Sequence, residues 1–100
     1  MTITKTINGG NITFTLAGRL DTVTSNLLST EFDNIISESF DKLILDFLSI
    51  DYISSAGLRV IINMQKKITA KGAKMELVKL SDPIKSIFDI TGFSKILTIN

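Results

Sequence analysis

The feature that most narrows the folds open to this chain is a join between two patterns. Leu43-Ile44-Leu45-Asp46-Phe47-Leu48 is a short, nearly continuous apolar run of the kind that forms a buried central strand. A few residues later, from about Ser55 to Ala70, apolar residues recur at helical spacing instead. A buried strand that runs straight into an amphipathic helix commits the chain to a sheet with helical crossovers. Ser54 and Ser55 stand at the junction, in Asp51-Tyr52-Ile53-Ser54-Ser55-Ala56-Gly57-Leu58-Arg59-Val60. A hydroxyl there can cap the first turn by accepting from an unpaired amide. It is also an accessible phosphate acceptor, at a spot where the helix dipole favours negative charge. Both readings of Ser55 stand on the residues alone.

The rest of the chain frames that join. Ile3 to Ile7 and Ile12 to Leu16 favour strands and are separated by Asn8-Gly9-Gly10-Asn11, which predicts a hairpin. Ile12, Phe14 and Leu16 alternate with Thr13 and Thr15, so helices should cover one side of the sheet only, and Lys5 marks an edge strand. Ala17-Gly18-Arg19-Leu20-Asp21 is expected to turn the chain, with Asp21 or Thr22 capping a helix to about Ser37. The apolar stripe of that helix is Leu28, Phe32, Ile35 and Ile36, widened by Leu27.

In the helix after the serines, Gly57, Ile61, Met64 and Ile68 share the core face, flanked by Leu58 and Val60. Ser55, Arg59, Ile62 and Lys66 fall on roughly the opposite side. An exposed Ile62 between two cations would make a small docking surface, and Ile62→Glu is then expected to weaken a complex without unfolding the monomer. A single exposed isoleucine can equally mean nothing. Lys71-Gly72 ends this helix, Met75 to Lys79 forms a strand, and Ser81-Asp82-Pro83 starts a helix striped by Ile84, Ile87 and Phe88. Gly92 closes it, and Ile96 to Ile99 supplies a last strand. The sum, β-β-α-β-α-β-α-β, is an α/β single domain over residues 1–100. Its sheet is mixed, with four to five strands, and its helices pack mainly on one face.

Composition then removes whole classes of chemistry. The 100 residues include 44% hydrophobic side chains, enough for one core, and a net charge of +1 gives no bulk attraction to nucleic acid or anionic membrane. With no cysteine and no histidine there are no disulfides, no thiol nucleophile, no usual zinc ligand set and no imidazole base. A serine nucleophile would lack its base, and no glycine-rich Lys-Ser or Lys-Thr phosphate loop occurs. Asp21, Asp46 and Asp51 could converge at the sheet's C-terminal edge and hold a magnesium ion, although aspartates at strand ends and caps are common for structural reasons. The expectation is a binding module without enzymatic activity, cofactor or metal, recognised by shape and local chemistry. Lacking a membrane-length apolar run or a signal-like start, it is expected in the cytoplasm.

Three stretches taken together carry a resemblance. Tyr52-Ile53-Ser54-Ser55-Ala56-Gly57-Leu58-Arg59-Val60, Gly18-Arg19-Leu20-Asp21 and Ile87-Phe88-Asp89-Ile90-Thr91-Gly92-Phe93 resemble, in order and separation, the anti-sigma factor antagonists of bacteria. These are stand-alone STAS domains, and the likeness covers almost the whole chain. The resemblance implies a partner that is both anti-sigma factor and serine kinase, of the ATP-binding switch type. It is captured when the domain is unmodified and released when a serine at the start of the second long helix is phosphorylated. A PP2C-like phosphatase would restore binding. With Gly57 aligned to the family motif, Asp-Ser-Ser-Gly or Asp-Ser-Thr-Gly, the modified residue is Ser55. Ala56 replaces the second hydroxyl, and Ser54 stands where the aspartate usually is. Partner contacts are then expected from Asp21, Ser54, Ser55, Gly57, Arg59, Ile62 and Lys66. The alternatives are a STAS scaffold subunit of a signalling complex or lipid transporter that is never modified, and a nucleotide-binding domain using Asp21 and Asp51.

Overall fold

Alternation of threonine with larger side chains at the N-terminus folds as a hairpin. A computed structural model describes residues 1–100. In it β1 (Thr2–Asn8) and β2 (Asn11–Leu20) pair antiparallel, with Asn8 opposite Asn11 across the Gly9-Gly10 turn. The chain continues through α1 (Thr22–Ile35), β3 (Lys42–Ile53), α2 (Ser55–Lys71), β4 (Lys74–Val78) and α3 (Asp82–Thr91). A short 3-10 turn over Phe93–Lys95 leads to β5 (Thr98–Ile99). The five strands lie in chain order, β1-β2-β3-β4-β5, and all pairs after the hairpin are parallel. Sequential parallel strands with right-handed crossovers place every helix on the same face of the sheet.

Burial follows from that layering. Ile12, Phe14 and Leu16 of β2, Leu43, Leu45 and Phe47 of β3, and Met75 and Leu77 of β4 point under the helices and are buried. Their neighbours Thr13, Thr15, Ile44, Asp46, Glu76 and Val78 line the other face, which no helix covers. Two ion pairs cross that face, Lys42 to Glu76 at 3.1 Å and Lys79 to Asp46 at 3.5 Å. Phe47 and Phe88 meet edge to face across the sheet–helix interface, with ring centroids 6.2 Å apart. No helix is long and apolar enough to cross a membrane.

Four features differ from the periodicity-based expectation. The segment from Ala17 to Leu20 is not a turn but the second half of β2, and β3 does not stop at Leu48 but runs to Ile53. Register shifts explain why the sequence hides this. While β2 advances from Thr15 to Ala17, β3 advances from Asp46 to Ser49, and a second shift follows at Gly18 and Arg19. Each bulge adds one residue to β3, so its inward residues are Phe47, Ile50 and Ile53, spaced by three rather than two. Third, the last strand is only Thr98–Ile99, and Ile96 is exposed beside the preceding turn. Fourth, Leu27 is half exposed and lies outside the core stripe of α1, which consists of Leu28, Phe32 and Ile35 with a buried Ser25.

The opposite deviation occurs in α2. Its buried residues run from Met64 through Gly57, Ile68, Ile61 and Leu58 to Ile62, which is 9% exposed and belongs to the core. At about 100° per residue this arc is roughly 160° wide. Strand order makes α2 the middle crossover of three, and it packs on β3 and β4 beneath and on α1 at its flank. Ile62 is therefore not a surface residue, and the docking patch expected around it does not exist. At the far end Gly72 takes a left-handed conformation (φ 85°) and donates to the Ile68 and Thr69 carbonyls, closing the helix.

Candidate functional site

The prolonged strands β2 and β3 carry two short segments to one edge of the sheet. Arg19 pairs with Tyr52 and Leu20 with Ile53, and each strand then opens directly into a helix. Asp21 caps α1, its carboxylate accepting from the amides of Val23 (3.1 Å) and Thr24 (3.0 Å). The Thr24 hydroxyl closes the loop, accepting from the Asp21 amide at 2.8 Å and donating to the Arg19 carbonyl at 2.6 Å. The Thr24 amide holds the Asp21 carboxyl below the ordinary carboxylate range. The Thr24 hydroxyl, the Val23 amide and the Arg19 cation 3.9 Å away add to this, partly opposed by desolvation. Asp21 is thus committed to its own helix as the cap that its residue type suggests.

The start of α2 is tied to the same edge. The Ser54 amide donates to the Leu20 carbonyl at 2.9 Å, and the Ser54 hydroxyl accepts from the Gly57 amide at 3.3 Å. Ser54 is the cap of α2 and Ser55 its first helical residue. The capping role therefore falls to Ser54 and not to Ser55. Ser55 is exposed, and its hydroxyl enters none of the side-chain hydrogen bonds of the chain.

Gly57 serves the site from below. A Cβ there would lie 2.8 Å from the Leu20 carbonyl oxygen, 2.9 Å from Leu20 Cγ and 3.0 Å from Ile53 Cγ1. Only glycine lets the helix backbone settle onto the two strand ends at this distance. Gly57 is buried and faces the sheet, so it positions Ser55 rather than meeting a partner, contrary to the expectation above. Ile62 is likewise withdrawn inside. Arg59 and Lys66 are exposed on the outer side of α2 as expected.

Three residues that periodicity did not single out, Arg19, Tyr52 and Val23, belong to this edge. The Arg19 guanidinium lies over the Tyr52 ring, 4.0 Å from its centroid, a contact that exists only because both strands extend past the bulges. Val23, in the first turn of α1, exposes 74% of its surface. Its position off the Leu28 stripe was the available signal. Together these residues make a surface with a free hydroxyl, a stacked cation and apolar groups. The largest cavity, about 500 Å³ beside Phe40, Lys71 and Lys74, lies at the opposite end of α2. The three aspartates considered for a magnesium ion do not converge: Asp46 pairs with Lys79, Asp21 caps α1, and no acidic cluster forms.

The chain matches known proteins over nearly its full length. The STAS domain family model matches residues 2–100. BtrV of Bordetella bronchiseptica, named as a candidate anti-sigma factor antagonist, is 29% identical over 84 residues, which cover 84% of this chain and 72% of that protein. Among solved structures, a candidate anti-sigma factor antagonist from Thermotoga maritima superposes with a TM-score of 0.90 at 21% identity, over 97% of this chain and 84% of the other. SpoIIAA of Bacillus in its phosphorylated form superposes with a TM-score of 0.78 at 14% identity, over 99% of this chain and 91% of that one. The unphosphorylated SpoIIAA structure, described as an anti-sigma factor antagonist, gives 0.79 at 13% identity, with 99% and 87% covered.

Proposed function

Because this chain belongs to the STAS domain family, we propose that it is an anti-sigma factor antagonist whose hold on its partner is switched at Ser55. The partner is an anti-sigma factor that is also a serine kinase, and both act in the cytoplasm. Unmodified, the edge carrying Ser55, Tyr52, Arg19 and Arg59 docks on that partner and frees a sigma factor. The partner then transfers a γ-phosphoryl group from its nucleotide. A bond forms from the Ser55 oxygen to phosphorus, and the bond to the nucleoside diphosphate oxygen breaks. The hydroxyl proton passes to a base of the kinase, since this chain has no histidine to take it. A phosphatase reverses the step by hydrolysis, returning the hydroxyl and inorganic phosphate.

The observation that carries this reading is the division of labour between neighbouring serines. Ser54 alone satisfies the helix amide, so Ser55 is free, exposed and chemically idle. A phosphate there brings about two negative charges. Buried against a surface fitted to a neutral hydroxyl, that charge costs several kcal/mol, enough to lower affinity by orders of magnitude. Support also comes from the family and from the name of BtrV. The test is the affinity of Ser55→Asp for the anti-sigma partner, measured by calorimetry. Loss of at least two orders of magnitude is expected, and unchanged affinity would remove Ser55 from the interface.

A further inference from the structure

We propose that Arg59 is the built-in counter-ion for a phosphate on Ser55, holding it across one turn of α2. This rests on the reading of Ser55 above and goes beyond it by assigning the modified state its own stabilising contact. The two residues are four apart on one helix, which makes them neighbours on its surface. Helical side chains lean toward the N-terminus, so an Arg59 side chain can reach the turn that Ser55 begins. The anion precedes the cation, the order that both the pairwise interaction and the helix dipole favour.

The charges around Ser55 leave this role to Arg59. The four ion pairs of the chain join Arg19 to Asp21, Lys42 to Glu76, Lys67 to Asp33 and Lys79 to Asp46, and Arg59 is in none of them. Arg19 is already occupied by the Tyr52 ring and Asp21. Lys66 is exposed but lies seven residues farther along, about 10 Å down the axis. Helix α2 carries Arg59, Lys66, Lys67 and Lys71 and not one carboxylate, and its first turn has no acidic residue. A phosphate on Ser55 would be the only anion on this helix, and the planar guanidinium can grip two of its oxygens. Once gripped from within, the phosphate is less available to cations of a departing partner. Release then does not depend on repulsion alone.

The test uses the isolated chain with phosphoserine inserted at position 55 during translation, so that no kinase is needed. Phosphorus NMR follows the second ionisation of the phosphate. In the wild-type background the acid dissociation constant should be about two- to tenfold larger than in Arg59→Gln, with Arg59→Lys between them, and the gap should close at high salt. Lys66→Gln should titrate like wild type. Identical titration in Arg59→Gln and wild type would overturn the proposal, as would an equal shift from Lys66→Gln. Failure of the antagonist reading looks different: the phosphorylated chain would still bind the anti-sigma partner, whatever its titration.

Discussion

Ser54 and Ser55 have the same side chain and different surroundings, because one backbone step separates a cap from the first helical position. The Ser54 hydroxyl accepts from the Gly57 amide, while Ser55 is exposed and its hydroxyl makes no hydrogen bond. Ser54→Ala should cost about 1 kcal/mol of stability in urea unfolding, and Ser55→Ala less than about 0.5 kcal/mol. Equal effects would contradict the assignment of the cap. Asp21 carries the pH dependence at this scale. Its carboxyl titrates below the ordinary range in the folded chain, chiefly through the Thr24 amide. A depressed folded pKa means stability that is present above the unfolded value, near pH 4, and lost as pH falls through the folded one. Asp21→Asn retains a capping oxygen but cannot titrate. The variant should lose stability less steeply than the wild type below about pH 4 in pH-dependent thermal melts.

Among the elements, α2 decides most about this molecule, and its position in the layer decides how much of it is buried. As the middle crossover it buries an arc that ends at Ile62, while the outer helix α1 leaves Leu27 half exposed. Ile62→Glu should therefore destabilise the monomer by about 3 kcal/mol, combining lost apolar burial with a poorly solvated carboxylate. Leu27→Glu should change stability by less than about 0.5 kcal/mol. Thermal unfolding of the two variants checks both, and a folded, fully stable Ile62→Glu would mean that α2 is rotated about its axis relative to the sheet. The bulges of β3 matter equally. They bring Tyr52 beside Arg19 and deliver Ile53 beneath Gly57, which is what seats the first turn of α2 at the sheet edge.

For the molecule as a whole, Ser55 sits at the rim of a one-sided layer, where a charge can be added without disturbing the interior. The buried side chains lie between sheet and helices, and Ser55 belongs to neither surface of that interface. Ser55→Asp, which also places a negative charge at a helix start, should leave the circular dichroism spectrum unchanged and the melting temperature within a few degrees of wild type. A loss of helical signal would show that the hydroxyl is structural.

What the amino-acid order alone determined is local. Alternation set the hairpin and the one-sided sheet. Residue type placed the cap Asp21, the end Gly72 and the pair of serines before α2, because caps and turns depend on a few adjacent backbone groups. The full reach of β2 and β3 and the burial of Ile62 were settled only in three dimensions. So were the exposure of Leu27, the inward role of Gly57 and the choice of Ser54 over Ser55 as cap. Each of these depends on a neighbour distant in sequence. A bulge changes the period of a strand only relative to its partner, and a helix face is buried only when something packs against it.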